Sequence, residues 1–223
     1  MPYRRTEQVV RRLAARERAI LAAATLIAGE SGMGAVHIAA VAKRAGIAAG
    51  TVYRYFPAKA DLIAELVAAF AERELAAMRA AADSAPGPLS ALAASIVTFA
   101  GRALNERRLA WAVIAEPVDA QIDVARLDFR QSLAGEFGAR IEAAVDGSHL
   151  PDLDAAVAAP ALVGMLTEGL LGPMASMHGA DAAKTREAVQ TATLLALRAL
   201  GVVDARARGL VAQCAMPLSI PVP

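Results

Sequence analysis

Apolar residues recur three and four positions apart along most of the chain, the repeat of helices that bury one face. Leu13, Ile20, Ala24 and Ile27 form one stripe between about Thr6 and Glu30, with Arg11, Arg12, Arg16 and Arg18 largely off it. That pattern predicts a long first helix, ended by Ser31-Gly32-Met33-Gly34. A short second helix follows from about His37 to Ala45, with Ile38, Val41 and Ala45 on its inner side. Gly46 then stands where a left-handed C-terminal cap is needed, and Ile47 is the apolar residue that plugs the turn. A third helix, about Ala48 to Phe56, turns Val52 and Phe56 inward and leaves Thr51, Arg54 and Tyr55 in more exposed directions. Ile20, Ile38, Val41, Ile47, Val52 and Phe56 are the candidate core of this three-helix unit.

Pro57 ends the third helix, and Lys59 opens a long fourth one that carries Leu62, Leu66, Phe70 and Leu75 to about Asp83. Ser84-Ala-Pro-Gly-Pro88 is a loop, after which helices are expected at about 89–105, 107–116, 120–145, 152–177 and 181–200. Pro117, Gly147 to Pro151, Gly179 and Gly201 supply the stops, and the proline-ended tail from Ala205 is expected to leave the helical pattern. No internal repeat is present. The fold class is all-α, with a three-helix N-terminal helix-turn-helix head on a larger helical bundle.

Composition strengthens that reading. Hydrophobic residues make up 57% of the 223, only 4% are aromatic, and most of the excess is alanine, the best helix former. A single cysteine, Cys214, forms no internal disulfide, which fits a reducing, cytoplasmic compartment. Met1 to Arg18 is crowded with arginine and does not read as a signal peptide. The longest apolar run, from Ala155, is broken at Thr167 and Glu168, short of the roughly 20 residues of a membrane span. Net charge is only +1, but residues 1–60 hold ten Lys or Arg against Glu7, Glu17 and Glu30, so the rest of the chain is acidic. A basic head on an acidic body is the asymmetry of a chain that meets a polyanion at one end.

The stretch Ala42 to Lys59, preceded by helix one and the Gly32 loop, resembles the DNA-binding head of the tetracycline-repressor (TetR) family of bacterial regulators over roughly residues 14–75. Its most specific pieces are Ala-Gly-Ile at 45–47, Gly-Thr-Val-Tyr at 50–53 and Tyr-Phe-Pro-Ala-Lys at 55–59. The resemblance implies a ligand-responsive regulator, most often a repressor, that binds a palindromic double-stranded DNA operator as a homodimer. It also implies four segments: a basic arm and start of helix one at 1–13, a DNA-binding domain at 14–75 with its motif at about 37–56, an effector-binding and dimerisation domain at 76–204, and a C-terminal tail at 205–223. The DNA-contacting positions it implies are Thr51, Tyr53, Tyr55 and Lys59; His37, which could donate to a phosphate or simply face solvent, Ala48, Ala49, Gly50 and Arg54 complete the candidate set. Hydroxyls of threonine and tyrosine donate to phosphate oxygens, and Lys59 adds a cation at a helix start whose free amides favour an anion. Arg4 and Arg5 stand ahead of helix one, where a minor-groove arm would lie.

The chain departs from the family where Ser or Thr is common and Val36 and His37 stand, and where polar residues are common and Ala39, Ala48 and Ala49 stand. Loss of a hydroxyl N-cap costs about 1 kcal/mol. Loss of polar tips on the recognition helix shifts readout toward Thr51, Tyr53, thymine-methyl contact by Ala49 and DNA shape.

In the body, the family resemblance implies a small-molecule pocket between helices and a homodimer through the helices at about 152–177 and 181–200. Phe99, Trp111, Phe129, Phe137 and Met165 mark the candidate pocket, and an apolar or amphipathic effector would suit such a lining. Glu116 and Glu168 are carboxylates in apolar helices, with three roles open to them: orienting a ligand, crossing the dimer interface, or sitting at an exposed edge.

His37, His149 and His178 stand far apart, without a His-x-x-x-His or Cys-x-x-Cys pair, a phosphate-binding glycine loop or a serine elbow. Neither catalytic nor metal-ligating residues are therefore assigned, no cofactor is expected, and a regulator is favoured over an enzyme. The rival reading is a helical protein-interaction or architectural protein with weak, non-specific DNA binding.

Overall fold

The computed structural model describes residues 7–117, 120–175 and 181–214, which form α-helices joined by short turns, with no strand among them. Helix α1 (Glu7–Ser31) leads through a 3-10 turn (Met33–Ala35) into α2 (Ile38–Arg44) and α3 (Ala49–Tyr53). The long α4 (Lys59–Asp83) then passes into α5 (Pro88–Asn105), α6 (Arg107–Ile114) and α7 (Ala120–Asp146). Helix α8 (Ala155–Leu166), a π turn (Thr167–Leu171), α9 (Ala182–Ala199) and α10 (Asp204–Gln213) complete it.

The apolar stripes close as the periodicity requires. Ile20, Ile38, Val41, Val52 and Phe56 are buried in the head, and Ile47 is half-buried against them. Leu62, Leu66, Phe70 and Leu75 bury one face of α4, which packs on α5 and α7. The expected boundary between residues 75 and 76 falls inside this unbroken helix, so α4 belongs to head and body alike. Helix α6 is the other element of the body that packs on the head, through α1.

Three expectations are corrected. The third helix is shorter, Ala49–Tyr53, because Arg54 and Tyr55 continue only as a tight turn before Pro57. The helix expected over 152–177 begins at Ala155, where Asp154 caps the Ala156 amide, and leaves α geometry after Leu166. There the chain widens into the π turn, whose last carbonyls at Leu170, Leu171 and Gly172 accept bonds from the Arg107 guanidinium. The chain from Ala205 is helical to Gln213, because its prolines begin only at Pro217, beyond the described residues, and Leu210 and Val211 give it an apolar face on the body.

Two buried carboxylates paired with arginines fix α4 in place. Glu74, only 2% exposed, receives a two-pronged bond from Arg102 of α5 at 2.7 and 2.9 Å and a third from Arg73 at 2.9 Å. Arg73 also reaches Glu106 at 2.5 Å. A second tie joins Arg79 of α4 to Glu136 of α7 at 2.8 Å, with Arg140 on the other oxygen of the same carboxylate. Buried ion pairs add little net stability over apolar packing, but they resist sliding because a displaced partner leaves a charge without solvent.

Candidate nucleic-acid interface

The turn between α2 and α3 is built by hydrogen bonds that only a left-handed residue permits. Ile47 N–H donates to Ala42 O at 3.0 Å and Gly46 N–H to Lys43 O at 3.3 Å, with Gly46 at φ 66°. This is a Schellman cap, and it aims α3 away from α2. Burial of Val52 and Phe56 then leaves the opposite side of α3 to solvent. Ala48, Ala49, Gly50, Tyr53 and Arg54 are exposed, Tyr53 by 52%, and Thr51 and Tyr55 are half-exposed.

His37 starts α2. Its Nδ1 accepts the Ala40 amide at 3.2 Å, so the imidazole replaces the hydroxyl cap whose loss the sequence suggested. With Nδ1 accepting, the ring proton of a neutral histidine stands on Nε2, a donor aimed outward. Lys59 is exposed at the first turn of α4. That terminus is already partly satisfied, because the Asp61 carboxylate accepts the Ala58 amide at 2.9 Å. The contribution of Lys59 to an anion site there therefore rests more on its own charge than on free amides. At the back of the head, Arg44 pairs with Glu30, which holds the end of α2 against α1 and keeps the carboxyl below its ordinary pKa.

The candidate pocket residues do not all line one cavity. Phe99 and Phe137 meet edge to face with ring centres 6.2 Å apart, Phe70 and Phe129 likewise at 5.9 Å, and all four are buried. Trp111 is half-buried against the same core. Met165 instead lines a groove of about 400 Å³ between the π turn and α9, with Leu170, Ala188, Ala192 and Leu195. Glu168 is exposed on that turn.

Glu116 has a role that its position in the sequence did not suggest. One of its oxygens accepts the Met33 amide of the head at 2.9 Å, and the other meets Arg108 at 3.2 Å. Gly32, at φ 85° and ψ 172°, lies directly beneath this carboxylate. Buried Arg126 holds the end of α6 from behind, donating to the carbonyls of Ala112 and Glu116, and desolvation lowers its pKa. Body and head thus meet through α4, through the packing of α6 on α1, and through the Glu116 carboxylate just beyond α6. Among the described residues no cluster of histidine, cysteine or acidic side chains is arranged to hold a metal ion, and no helix is long and apolar enough to cross a membrane.

A capped helix-turn-helix whose second helix faces solvent, mounted on a helical bundle, defines the class of an α-helical protein with a DNA-binding head. Comparison agrees over the head: residues 20–66 match the model of the bacterial regulatory proteins, tetR family. The HTH-type transcriptional repressor KstR of Rhodococcus jostii (strain RHA1) is 45% identical over 58 residues, 26% of this chain and 27% of that protein. The chain therefore matches only about a quarter of the length of its curated relatives. Over the whole chain the likeness is one of fold. RolR, solved in complex with resorcinol, superposes with a TM-score of 0.67 at 18% identity, covering 94% of this chain and 100% of RolR. FadR from Bacillus subtilis, solved in complex with stearoyl-CoA, gives 0.68 at 16% identity, covering 83% and 98%.

Proposed function

We propose that the protein is a ligand-responsive, DNA-binding transcriptional repressor. The observation that carries this reading is the capped α2–α3 turn with Val52 buried and Thr51, Tyr53 and Arg54 facing solvent, in the stretch that matches repressors of the tetR family. In this reading α3 enters a major groove, Thr51, Tyr53, Tyr55, His37 and Lys59 hold phosphates, and Ala48, Ala49 and Gly50 allow close approach to the bases.

A homodimer supplies two such helices. The π turn and α9 carry an unfilled apolar groove, and Leu195 beside it is 54% exposed while Val157 of α8 is 66% exposed. A second copy seated on that face would bury both. The two recognition helices then need a spacing of about 34 Å to reach successive grooves of straight B-DNA.

Release follows from differential binding of an effector to two arrangements of the body. Any displacement of α4 at Glu74 or at the Arg79–Glu136 pair, or of α6, is carried to the head through α4, through the packing of α6 on α1 and through the Glu116–Met33 hydrogen bond. The ligands in the RolR and FadR structures are an aromatic diol and a long acyl-CoA, which supports an apolar or amphipathic effector for this body. The domain assignment is then functional: residues 14–75 read DNA and 76–204 sense and dimerise, with α10 added to the sensing body.

The test is fluorescence anisotropy of the full chain and of Thr51→Ala/Tyr53→Ala on a duplex from the region upstream of its own gene. Both side chains reach solvent, so the variant keeps its helicity and thermal midpoint while affinity falls at least tenfold. Unchanged affinity in the folded variant would sink the assignment of α3.

A further inference from the structure

We propose that Arg12 and Arg16 of α1, together with Arg54, form a second clamp on the DNA backbone, beside the strand that α3 contacts. The proposal rests on the DNA-binding reading above and adds Arg12 and Arg16, which lie outside the helix-turn-helix.

Val9, Arg12, Leu13 and Arg16 recur on one face of α1, and that face lies across a cleft of about 280 Å³ from Thr51, Arg54 and Tyr55. The floor is apolar, the rim carries three guanidiniums and two hydroxyls, and no carboxylate lines it. On their other side Arg12 and Arg16 border a second cleft, with Ala45 and Ile47 of the helix-turn-helix turn. The two arginines thus stand on a ridge between the turn and the end of α3. One helical turn separates them, about 6 Å along the axis.

Their charges are uncommitted. None of the ion pairs among the described residues involves Arg12, Arg16 or Arg54, and all three are exposed. Arg73, Arg79, Arg102, Arg108, Arg140, Arg198 and Arg208 are by contrast tied to carboxylates. Three unpaired guanidiniums against an apolar floor repel one another, and a polyanion laid along the ridge removes that repulsion while gaining charge-assisted bonds. Phosphate is the group their fork geometry fits, and a continuous backbone reaches both clefts at once. Such contacts carry no base information, which agrees with a recognition helix tipped by Ala48 and Ala49.

The experiment measures affinity between 50 and 200 mM salt for the wild type, Arg12→Gln/Arg16→Gln and Arg54→Gln. A control, Arg130→Gln/Arg206→Gln, removes two exposed body arginines outside α8 and α9 and matches the change in net charge. Probes are a labelled duplex from the upstream region of the gene and a scrambled duplex of equal length. Each lost phosphate contact removes about 0.9 from the slope of log K against log salt, so the double variant, which loses two contacts in each head of the dimer, loses about 3.6. Its weakening over that fourfold salt range shrinks by about 150-fold. The loss is equal on both duplexes, with helicity and thermal midpoint unchanged and the control keeping the wild-type slope. An unchanged slope in the double variant overturns the clamp, as does an equal loss in the control or a loss confined to the upstream duplex. Wild-type protein that binds neither duplex overturns the DNA-binding reading itself, and the clamp with it.

Discussion

Gly32→Ala isolates one contact between body and head, the hydrogen bond from Met33 to Glu116. Gly32 sits at φ 85° and ψ 172°, a region open in practice only to glycine, where a side chain costs about 1–3 kcal/mol in backbone strain. An added Cβ would also lie 2.5 and 2.9 Å from the two Glu116 oxygens and against Arg108 Nη2. Both are ends of flexible side chains, so the clash relaxes by swinging them away rather than by moving backbone. The relaxation breaks the bond from Met33 N–H to the Glu116 carboxylate, and a hydrogen bond to a charged group is worth about 1.5–3 kcal/mol. The two terms together place Gly32→Ala at about 3–5 kcal/mol of lost stability. In a Glu116→Ala background the carboxylate is gone, so the same substitution costs only its backbone part, about 1–3 kcal/mol. Urea unfolding of wild type, both single variants and the double variant, at one fixed protein concentration, measures the coupling. A coupling near zero would refute the claim that Glu116 is a strut between head and body.

Three further outcomes follow from the geometry. Arg102→Met leaves Glu74 buried with only Arg73 beside it and costs about 3–5 kcal/mol, whereas Glu74→Leu/Arg102→Met removes both charges and stays much closer to wild type by thermal unfolding. His37→Ala removes the α2 cap and costs about 1 kcal/mol, while His37→Asn restores a capping oxygen and most of that loss, read by the same assay. Leu195→Glu places a charge in the α8–α9 face and weakens self-association by at least about 2 kcal/mol, about thirtyfold in dissociation constant by sedimentation equilibrium.

What could be read from the sequence was what local periodicity and turn chemistry decide. The bounds of α4 at Lys59 and Asp83, the left-handed Gly46 and the buried faces of Val52 and Phe56 follow from spacing and from one glycine. Glu74 was not legible, because a glutamate on an amphipathic helix ordinarily faces water, and its partner Arg102 is 28 residues away. Glu116 stood out as a carboxylate in an apolar helix, yet its partner, the Met33 amide, lies 83 residues earlier and carries no side-chain signal. The cap at His37 was hidden because imidazole is an uncommon substitute for a hydroxyl. The π turn escaped because Thr167 to Leu171 continues the apolar pattern of α8 while the backbone widens to meet Arg107. Helix α10 was obscured by reading the terminal prolines back onto residues that precede them. The aromatic pocket markers are not gathered around one cavity: Phe99 and Phe137 meet in the core, while Phe129 also borders a groove between α4 and α7.

The central claim is that α3 on its capped turn reads one DNA sequence in duplicate. Footprinting of the full chain on the region upstream of its gene tests this most directly. The account predicts a protected near-palindrome with half-sites one helical turn apart, about 34 Å, bound at least a thousandfold more tightly than scrambled duplex at physiological salt. Equal, weak affinity for every duplex, with no protected site, would contradict it.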